Sequence, residues 1–298
     1  MDEAYPTFSI VIPTYNRPNR LETCLQSLVQ LEYPSNRFEV VVVDDGSPIA
    51  LEPVVVSFRE TLDLRFHRQE NAGPAAARNA GARQAQGRFL VFTDDDCRPD
   101  SNWLTALAAQ FKKTPTHLLG GKTVNALPQN PFSTASQLLV HYLYDYYNSD
   151  DHQARFFTSN NIALPANRFH ETGGFDTTFI LAAAEDREFC NRWLHRGGAM
   201  TYVPRAVVRH AHSLDLIGFW WQHFDYGRGA FYFHEMRSQR GQDSIAPEPL
   251  SFYWNLLLYP FSRFAGFWAL MQMLLIGVSQ VANAAGLFYE MSLRSLRE

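Results

Sequence analysis

Short apolar runs alternate with helical patterns along the first two thirds of the chain. Residues 8–13, 38–43 and 89–92 are apolar runs of the kind that form buried strands. Leucine spacing predicts a helix over residues 20–29, and an Ala-rich segment predicts another over 75–86. Strands that alternate with helices form βαβ units. The pattern therefore predicts an α/β fold with a mostly parallel, mixed sheet.

The pattern continues less regularly to about residue 212. Strands are predicted over 62–66, 118–124, 156–164 and 202–209, and a helix over 185–196 is closed by Gly197 and Gly198. The predicted strand 156–164 carries Asn160 and Asn161. These two amides are interpreted either as contacts to ligand hydroxyls or as ordinary turn residues.

Acidic and aromatic residues follow several of the predicted strands. In parallel sheets, ligands bind beyond the carboxyl ends of the strands, where Tyr15 and Asp45 are expected to meet Asp94, Asp95 and Asp96. Three adjacent carboxylates repel one another, which favours a bound Mg²⁺ or Mn²⁺ that also holds substrate phosphates. The alternative is a solvated acidic turn that caps the next helix.

Charge and cysteine content narrow the class of protein. The net charge of −4 argues against general nucleic-acid binding. Cys24, Cys97 and Cys190 form no CxxC pair and no even disulfide framework, which predicts a reducing compartment. The acidic start of the chain lacks the pattern of a signal peptide. We expect the cytosol or the cytoplasmic side of a membrane.

The C-terminal segment has a different composition. Aromatic residues are concentrated in residues 219–289. Residues 264–289 contain no charged residue, and this segment is long enough to span a bilayer. Polar residues recur there near helical spacing, at Gln272, Ser279, Gln280 and Asn283. Monotopic, peripheral membrane attachment is favoured, with Arg263, Arg294 and Arg297 facing anionic headgroups. A single membrane span and a buried helix of a homo-oligomer are the alternatives.

Six motifs occur in the order and spacing of one known family. They are Ser9-Ile10-Val11-Ile12-Pro13-Thr14-Tyr15-Asn16-Arg17, Val43-Asp44-Asp45-Gly46-Ser47, Asn71-Ala72-Gly73-Pro74-Ala75-Ala76-Ala77-Arg78-Asn79, Asp94-Asp95-Asp96, Gly173-Gly174-Phe175-Asp176 and Glu185-Asp186. Over roughly residues 7–212 the chain resembles the family-2 glycosyltransferases. The resemblance implies a GT-A, Rossmann-like nucleotide-binding domain over 1–212. We expect a helical, aromatic-rich, membrane-associating extension over 213–298.

The resemblance also implies a set of site residues. Residues implied to bind the nucleotide sugar are Pro13, Thr14, Tyr15, Arg17, Asp45, Asn71, Gly73, Arg78, Asp94 and Asp95. Asp45 would accept a hydrogen bond from a base imide while Tyr15 stacks on the base, and Asp44 is the alternative holder of that loop. Asp96 and His210 would ligate Mn²⁺ or Mg²⁺ through a D-x-D pattern, in preference to His212. Asp186 would be the catalytic base, with Glu185 contacting the acceptor or orienting the site.

The expected function is inverting, metal-dependent transfer of a sugar from a UDP or dTDP donor to an acceptor hydroxyl. The acceptor would be a glycan or a lipid, including lipid-linked glycans of the cell envelope. A nucleotidyltransferase is an alternative, although no Gly-rich, Lys-containing phosphate loop follows the first strand. A non-catalytic sugar-nucleotide scaffold at a membrane is the other alternative.

Overall fold

The computed structural model describes residues 7–150, 153–179, 183–241 and 248–295. The chain divides into two compact units, each assembled from separate stretches of sequence. The first unit is Met1–Val124, Tyr147–Ile180 and Asp186–Ala211, and the second is Asn125–Tyr146, Leu181–Glu185 and His212–Glu298.

The first unit is built on an eight-stranded sheet with the order β3-β2-β1-β4-β7-β6-β8-β5. In chain order its strands are β1 (Phe8–Thr14), β2 (Phe38–Asp44), β3 (Leu64–Arg68), β4 (Phe89–Phe92), β5 (Cys97–Pro99), β6 (Leu118–Asn125), β7 (Ile162–Pro165) and β8 (Met200–His210). The described α-helices are α1 (Pro18–Val29), α2 (Glu52–Val56), α3 (Pro74–Gln84), α4 (Trp103–Phe111), α5 (Pro131–Tyr147), α6 (Ala166–Thr172), α7 (Glu185–His195), α8 (Leu216–Gln239), α9 (Leu250–Leu258) and α10 (Gly266–Ser295).

The sheet is mixed, as the pattern predicts, with parallel pairs on one side and antiparallel pairs on the other. Strands β3, β2, β1 and β4 are parallel, as the βαβ pattern predicts. Beyond β4 the pairing changes, because β7 runs antiparallel to both β4 and β6, and β5 runs antiparallel to β8. Apolar runs report that a strand is buried but not its direction, which depends on the connections.

Small residues let helix α3 lie close against the parallel strands. Its buried residues include Ala75, Ala77 and Ala80. A Cβ atom at Gly81 would stand 2.4 Å from Cγ1 of Val11 on β1, so a larger residue there would push the helix away. The Ala-rich pattern therefore brings the start of α3 close to the strand ends that carry the acids.

The second unit is helical, and its two longest helices pack at very short range. A Cβ atom at Gly227 of α8 would stand 1.9 Å from the carbonyl oxygen of Asn283, and one at Gly286 of α10 would stand 1.9 Å from that of Phe224. The Arg228 Nε lies 2.6 Å from Glu290 Oε1 at the same contact. From this contact onward, the Arg228–Glu290 and Glu235–Arg294 pairs advance in the same order along both helices, so α8 and α10 run in the same direction.

Helix α10 buries polar as well as apolar side chains and exposes several large apolar ones. Gln272 and Ser279 are buried, whereas Phe267, Leu274 and Phe288 are exposed. Within the described residues, Gly266–Arg294 is long and apolar enough to cross a membrane by length and composition.

Candidate active site

The ends of three parallel strands meet at one edge of the sheet. The backbone N–H of Asp45, after β2, donates to the carbonyl of Thr14 at 2.9 Å. The Thr14 hydroxyl, at the end of β1, donates to Asp95 Oδ2 at 2.8 Å, shortly after β4. The sheet thus brings together groups that are up to 81 positions apart in sequence.

Arginines from the chain neutralise two of the three adjacent acids. Arg17 Nη1 lies 3.2 Å from Asp95 Oδ1, and Arg20 Nη1 lies 3.0 Å from Asp96 Oδ2. Both acids are buried, while the two arginine side chains are 48% and 36% exposed. Burial is the main cause that raises the pKa of Asp95 to about 6, against the lowering effect of Arg17.

The third acid is held from the side of helix α3. Arg78 is buried and donates through Nη2 to Asp94 Oδ1 at 2.8 Å. Its Cζ also lies 5.6 Å from the ring centroid of Phe175. The argument that three acids need a metal ion to offset their repulsion is therefore incomplete, because arginines supply compensating charge.

Asp96 faces a histidine across an antiparallel strand pair. Cys97 of β5 is in register with His210 of β8, and the N–H of Ala211 donates to the Asp96 carbonyl at 2.8 Å. The His210 Nε2 consequently lies 3.2 Å from Asp96 Oδ1. Burial lowers the pKa of His210, but its hydrogen bond to Asp96 and the charge of Asp96 outweigh burial and raise it.

His212 is the neighbouring alternative for a ligand. Strand β8 ends at His210, two residues before His212. One ligand atom each from Asp96, His210 and His212 lie within 4.8 Å of one another. Carboxylate and imidazole groups at this spacing could hold a divalent ion such as Mn²⁺.

Asp45 organises the loop between β3 and α3. Its carboxylate accepts from Gln69 Nε2 at 2.7 Å and from the N–H groups of Ala72 and Gly73 at 3.0 and 2.9 Å. The Asn71 side chain donates to the Asp45 carbonyl at 2.9 Å. From the sequence, Asp44 is the alternative residue predicted to hold the loop by hydrogen bonds. The structure shows that Asp45 also holds it.

Asp44 and the residues after β1 complete this edge. Asp44 Oδ1 accepts from the N–H of Ser47 at 2.9 Å. The Ser47 hydroxyl accepts from the N–H of Asn16 at 2.8 Å, and Asn16 itself has a φ of 55°. Pro13 and Thr14 are buried, whereas Tyr15 is 47% exposed and leaves its ring accessible to a ligand.

Asp186 stands in the first turn of α7. The N–H of Arg187 donates to its Oδ1 at 2.7 Å. Burial raises the pKa of Asp186, although that hydrogen bond, the charge of Arg78 and the N–H of Ser159 each lower it in part. A carboxylate with a raised pKa is a better proton acceptor than an ordinary one. Glu185 immediately before it is buried.

Two predictions near the site need correction. Asn160 and Asn161 lie in a 3₁₀ turn, Ser159–Asn161, and not in a strand. Asn161 accepts from Trp103 Nε1 at 2.9 Å and donates to two backbone carbonyls, so its amide is used within the fold. Amides that bond to local backbone compete with strand formation.

Sequence reasoning also missed two residues. Arg20 pairs with Asp96 and Asn79 bonds to the backbone of Phe175. The available signals were the spacing of Arg20 three positions after Arg17 and the place of Asn79 next to Arg78. Neither signal reveals a partner that is 76 or 96 positions away in sequence.

The sequence matches one family profile and many curated relatives. The profile described as "Glycosyl transferase family 2" matches residues 9–175. Glycosyltransferase AglE of Haloferax volcanii is 32% identical over 219 residues, which cover 70% of this chain and 68% of AglE. Matches to the next curated relatives span only about half of those proteins, 51% and 55%.

Solved structures share the fold. The mannosyltransferase PcManGT from Pyrobaculum calidifontis, in complex with GDP-Man and Mn²⁺, aligns with a TM-score of 0.63 and 22% identity over 98% of this chain and 79% of that one. S. aureus TarS 1–349 with UDP-GlcNAc aligns with a TM-score of 0.58 and 20% identity over 97% and 92%. Both alignments support the GT-A fold. Together with the family profile and the identity to AglE, they lead to the conclusion that this chain is a glycosyltransferase and belongs to glycosyl transferase family 2.

Proposed function

We propose that this glycosyltransferase moves a sugar, with inversion, from a nucleoside-diphosphate sugar to an acceptor hydroxyl. The observation that carries the proposal is the acid cluster of Asp94, Asp95 and Asp96 at the strand ends, with the raised-pKa carboxylate of Asp186 as a separate proton acceptor. Inversion needs a base that deprotonates the acceptor during in-line attack. UDP and dTDP are the favoured donors.

The nucleoside is assigned to the edge formed by the ends of β1 and β2. Tyr15 offers an exposed ring for stacking, and the loop around Asn71 and Gly73 is held in place by Asp45. Asp45 Oδ2 accepts one described hydrogen bond, so a lone pair is left for the imide N–H of uracil or thymine. Arg17 lies partly exposed beside these groups and would contact the ribose–diphosphate part together with Arg78.

The chemistry of the donor set fits a divalent cation at Asp96 and His210. An acid beside an imidazole, with Asp94 close in the chain, offers the oxygen and nitrogen ligands that Mn²⁺ accepts, and Mg²⁺ suits the carboxylates. When bound, the ion would neutralise the charge that develops on the departing nucleoside diphosphate. Arg20 now neutralises Asp96 and would have to turn away, which its 36% exposure permits.

Asp186 would remove the acceptor proton. Its raised pKa favours proton uptake, and its side chain is partly exposed, so an acceptor hydroxyl could reach it. Glu185, buried directly before it, would contact or orient the acceptor. The positive charge of Arg78 acts on both Asp94 and Asp186, so it couples the donor side of the site to the base.

The second unit is assigned to the surface of a membrane, where a lipid or lipid-linked glycan would supply the acceptor. Its outer face exposes Leu250, Trp254 and Phe267. A single span is disfavoured, because the C-terminal half of α10 is tied to charged residues of α8 through the Arg228–Glu290 and Glu235–Arg294 pairs. Peripheral attachment on the cytoplasmic side agrees with both features.

A nucleotide-binding screen tests the donor site without knowledge of the acceptor. The melting temperature is measured with UDP, GDP, dTDP and CDP, each with and without Mn²⁺ or Mg²⁺. We expect one nucleotide to stabilise the protein and the stabilisation to need the metal. Products then separate the alternatives. Release of nucleoside diphosphate supports sugar transfer, pyrophosphate release from a triphosphate indicates a nucleotidyltransferase, and binding without turnover of any acceptor indicates a scaffold.

A further inference from the structure

The turn that contains Gly173 and Gly174 lies between the acid cluster and the helix of the proposed base. Both glycines have positive φ angles, 93° and 67°, and Gly173 ends helix α6. Phe175 follows and packs its ring 5.2 Å from Phe92 of β4 and 4.8 Å from Phe189 of α7. One aromatic ring therefore touches the strand that leads to the acids and the helix that begins at the base.

Asn79 fixes the backbone of that turn from helix α3. Its Nδ2 donates to the carbonyl of Phe175 at 2.7 Å, and its Oδ1 accepts from the N–H of Phe175 at 2.8 Å. A Cβ atom at Gly174 would stand 2.5 Å from Asn79 Oδ1, so this contact itself needs glycine. Asn79 is next in sequence to Arg78, which bonds to Asp94.

A buried ion pair holds the same turn from helix α7. Arg192 pairs with Glu188 at 2.7 Å, and Glu188 is fully buried. The guanidinium also donates to the carbonyls of Thr172 and Gly174, the latter at 2.6 Å. A buried ion pair adds little stability compared with apolar residues of similar volume, so its presence calls for a role in geometry.

We propose that Asn79 and the Glu188–Arg192 pair are positioning residues that clamp the 172–175 turn and thereby set Asp186 relative to Asp94 and Arg78. The inference rests on the proposed role of Asp186. Each member acts through backbone and packing and touches no reacting atom. A base that is misplaced by about 1 Å loses up to about a hundredfold in rate.

Two sets of variants separate positioning from folding. Asn79→Asp keeps the shape and the acceptor of the amide but cannot donate to the Phe175 carbonyl. The double variant Glu188→Leu/Arg192→Met replaces the ion pair with apolar residues and also removes the donors to the Thr172 and Gly174 carbonyls, so its melting temperature is measured beside kcat. Asn167→Ala is the matched control, because Asn167 is an exposed asparagine of α6 that bonds only to the side chain of Glu171 in the described contacts.

The readouts are kcat and the dissociation constant of the donor nucleotide found in the screen above, with a membrane lipid extract as acceptor source. We expect kcat to fall about tenfold to a hundredfold in Asn79→Asp and in the double variant, with nucleotide affinity unchanged within about twofold. Asn167→Ala keeps the parent values. The proposal is wrong if kcat is unchanged in Asn79→Asp. It is also wrong if nucleotide affinity falls by the same factor as kcat.

Asp186→Asn in the same assay keeps the two hypotheses apart. If Asp186→Asn is inactive and Asn79→Asp is fully active, the clamp alone is wrong. If Asp186→Asn retains turnover, the proposed base is wrong.

Discussion

The two units differ in the side chains that they bury and expose. In the first unit the sheet interior is apolar, with Ile10 and Val41 fully buried, and charged groups gather where the strands end. In the second unit the interior contains Gln272 and His223, and large apolar groups such as Phe267 face outward. The first arrangement suits a polar active site, and the second leaves an apolar surface on which the proposed membrane attachment rests.

Two buried polar groups of the second unit carry no charge near neutral pH, namely His223 and Gln272. Burial, assisted by the charge of His212, lowers the pKa of His223 to about 3, and its Nε2 lies 3.1 Å from the Ser136 hydroxyl. Both atoms of the Gln272 amide are buried without a described hydrogen-bond partner. Such an interior costs free energy in an ordinary soluble domain. This cost falls on the buried Gln272 amide, whereas the proposed membrane attachment rests on the outward apolar face.

The largest effect is expected from a change in the acid cluster of the first unit. Asp96→Asn removes one carboxylate charge from the proposed metal site while keeping the side chain's volume. We expect the metal-dependent part of nucleotide stabilisation to disappear and turnover to fall at least about a thousandfold. Thermal shifts with and without Mn²⁺ check the first result. A metal-dependent shift of the parent size in Asp96→Asn would remove Asp96 from the metal site.

The next effect tests the apolar face of the second unit. Leu274→Asp and Phe288→Asp each place a charge on the outward side of α10, where these residues are 65% and 64% exposed. We expect each to weaken binding to anionic lipid vesicles at least about tenfold, since burying one such side chain contributes about 1.5–3 kcal/mol. Co-sedimentation measures this.

Val56→Asp is the matched control for that surface. Val56 is a comparably exposed apolar residue, at 47%, in the first unit. Equal losses of vesicle binding in Val56→Asp and Leu274→Asp would mean that general charge, rather than the defined face, determines attachment.

A smaller effect concerns the close contact of α8 and α10. Gly286→Ala adds a Cβ at 1.9 Å from a backbone oxygen of α8, so we expect a loss of about 1–3 kcal/mol in the free energy of unfolding of this unit. Gly277→Ala on the same helix meets nothing nearer than 3.9 Å and should stabilise the helix by up to about 1 kcal/mol. Denaturant unfolding compares them. A change in the free energy of unfolding with the same sign in both variants would contradict the close contact at Gly286.

The smallest expected effect is a pH-dependent change in stability. The pKa of Asp186 is raised above its ordinary 3.8, mainly by burial, so its ionisation destabilises the folded state. The protonated form favours folding, and this contribution is lost as pH rises through the raised pKa. Asp186→Asn should therefore melt at a higher temperature than the parent at about pH 7, with the difference shrinking toward pH 4. A lower melting temperature at neutral pH would contradict the burial of this charge.

The sequence predicted the local features of the fold well. The apolar runs predicted the ends of β1, β2 and β4 to within one or two residues of the observed ones. The two glycines after α7 predicted where that helix ends. The family motifs led to Asp45, Asp96 and His210, and the strand ends that carry them meet as expected. These predictions depend on neighbours in the chain, where pattern and propensity act directly.

What the sequence did not reveal depends on distant partners. The charge of Asp96 is offset by Arg20, which a run of three acids does not disclose. The antiparallel direction of β7 follows from its connections, and Asn161 serves the fold because Trp103 and two carbonyls reach it. The pattern did not predict helix α5, which buries polar and aromatic side chains together, among them Gln137, Leu138 and Tyr142. Long-range geometry decides each of these cases.

The most direct test of the central claim is the turnover of Asp186→Asn together with its affinity for the donor nucleotide. If Asp186 is the base, nucleoside diphosphate release falls at least about a thousandfold while the nucleotide dissociation constant changes less than about twofold. Turnover near the parent value, or a loss of nucleotide binding equal to the loss of turnover, would contradict the assignment of Asp186 as the proton acceptor of this glycosyltransferase.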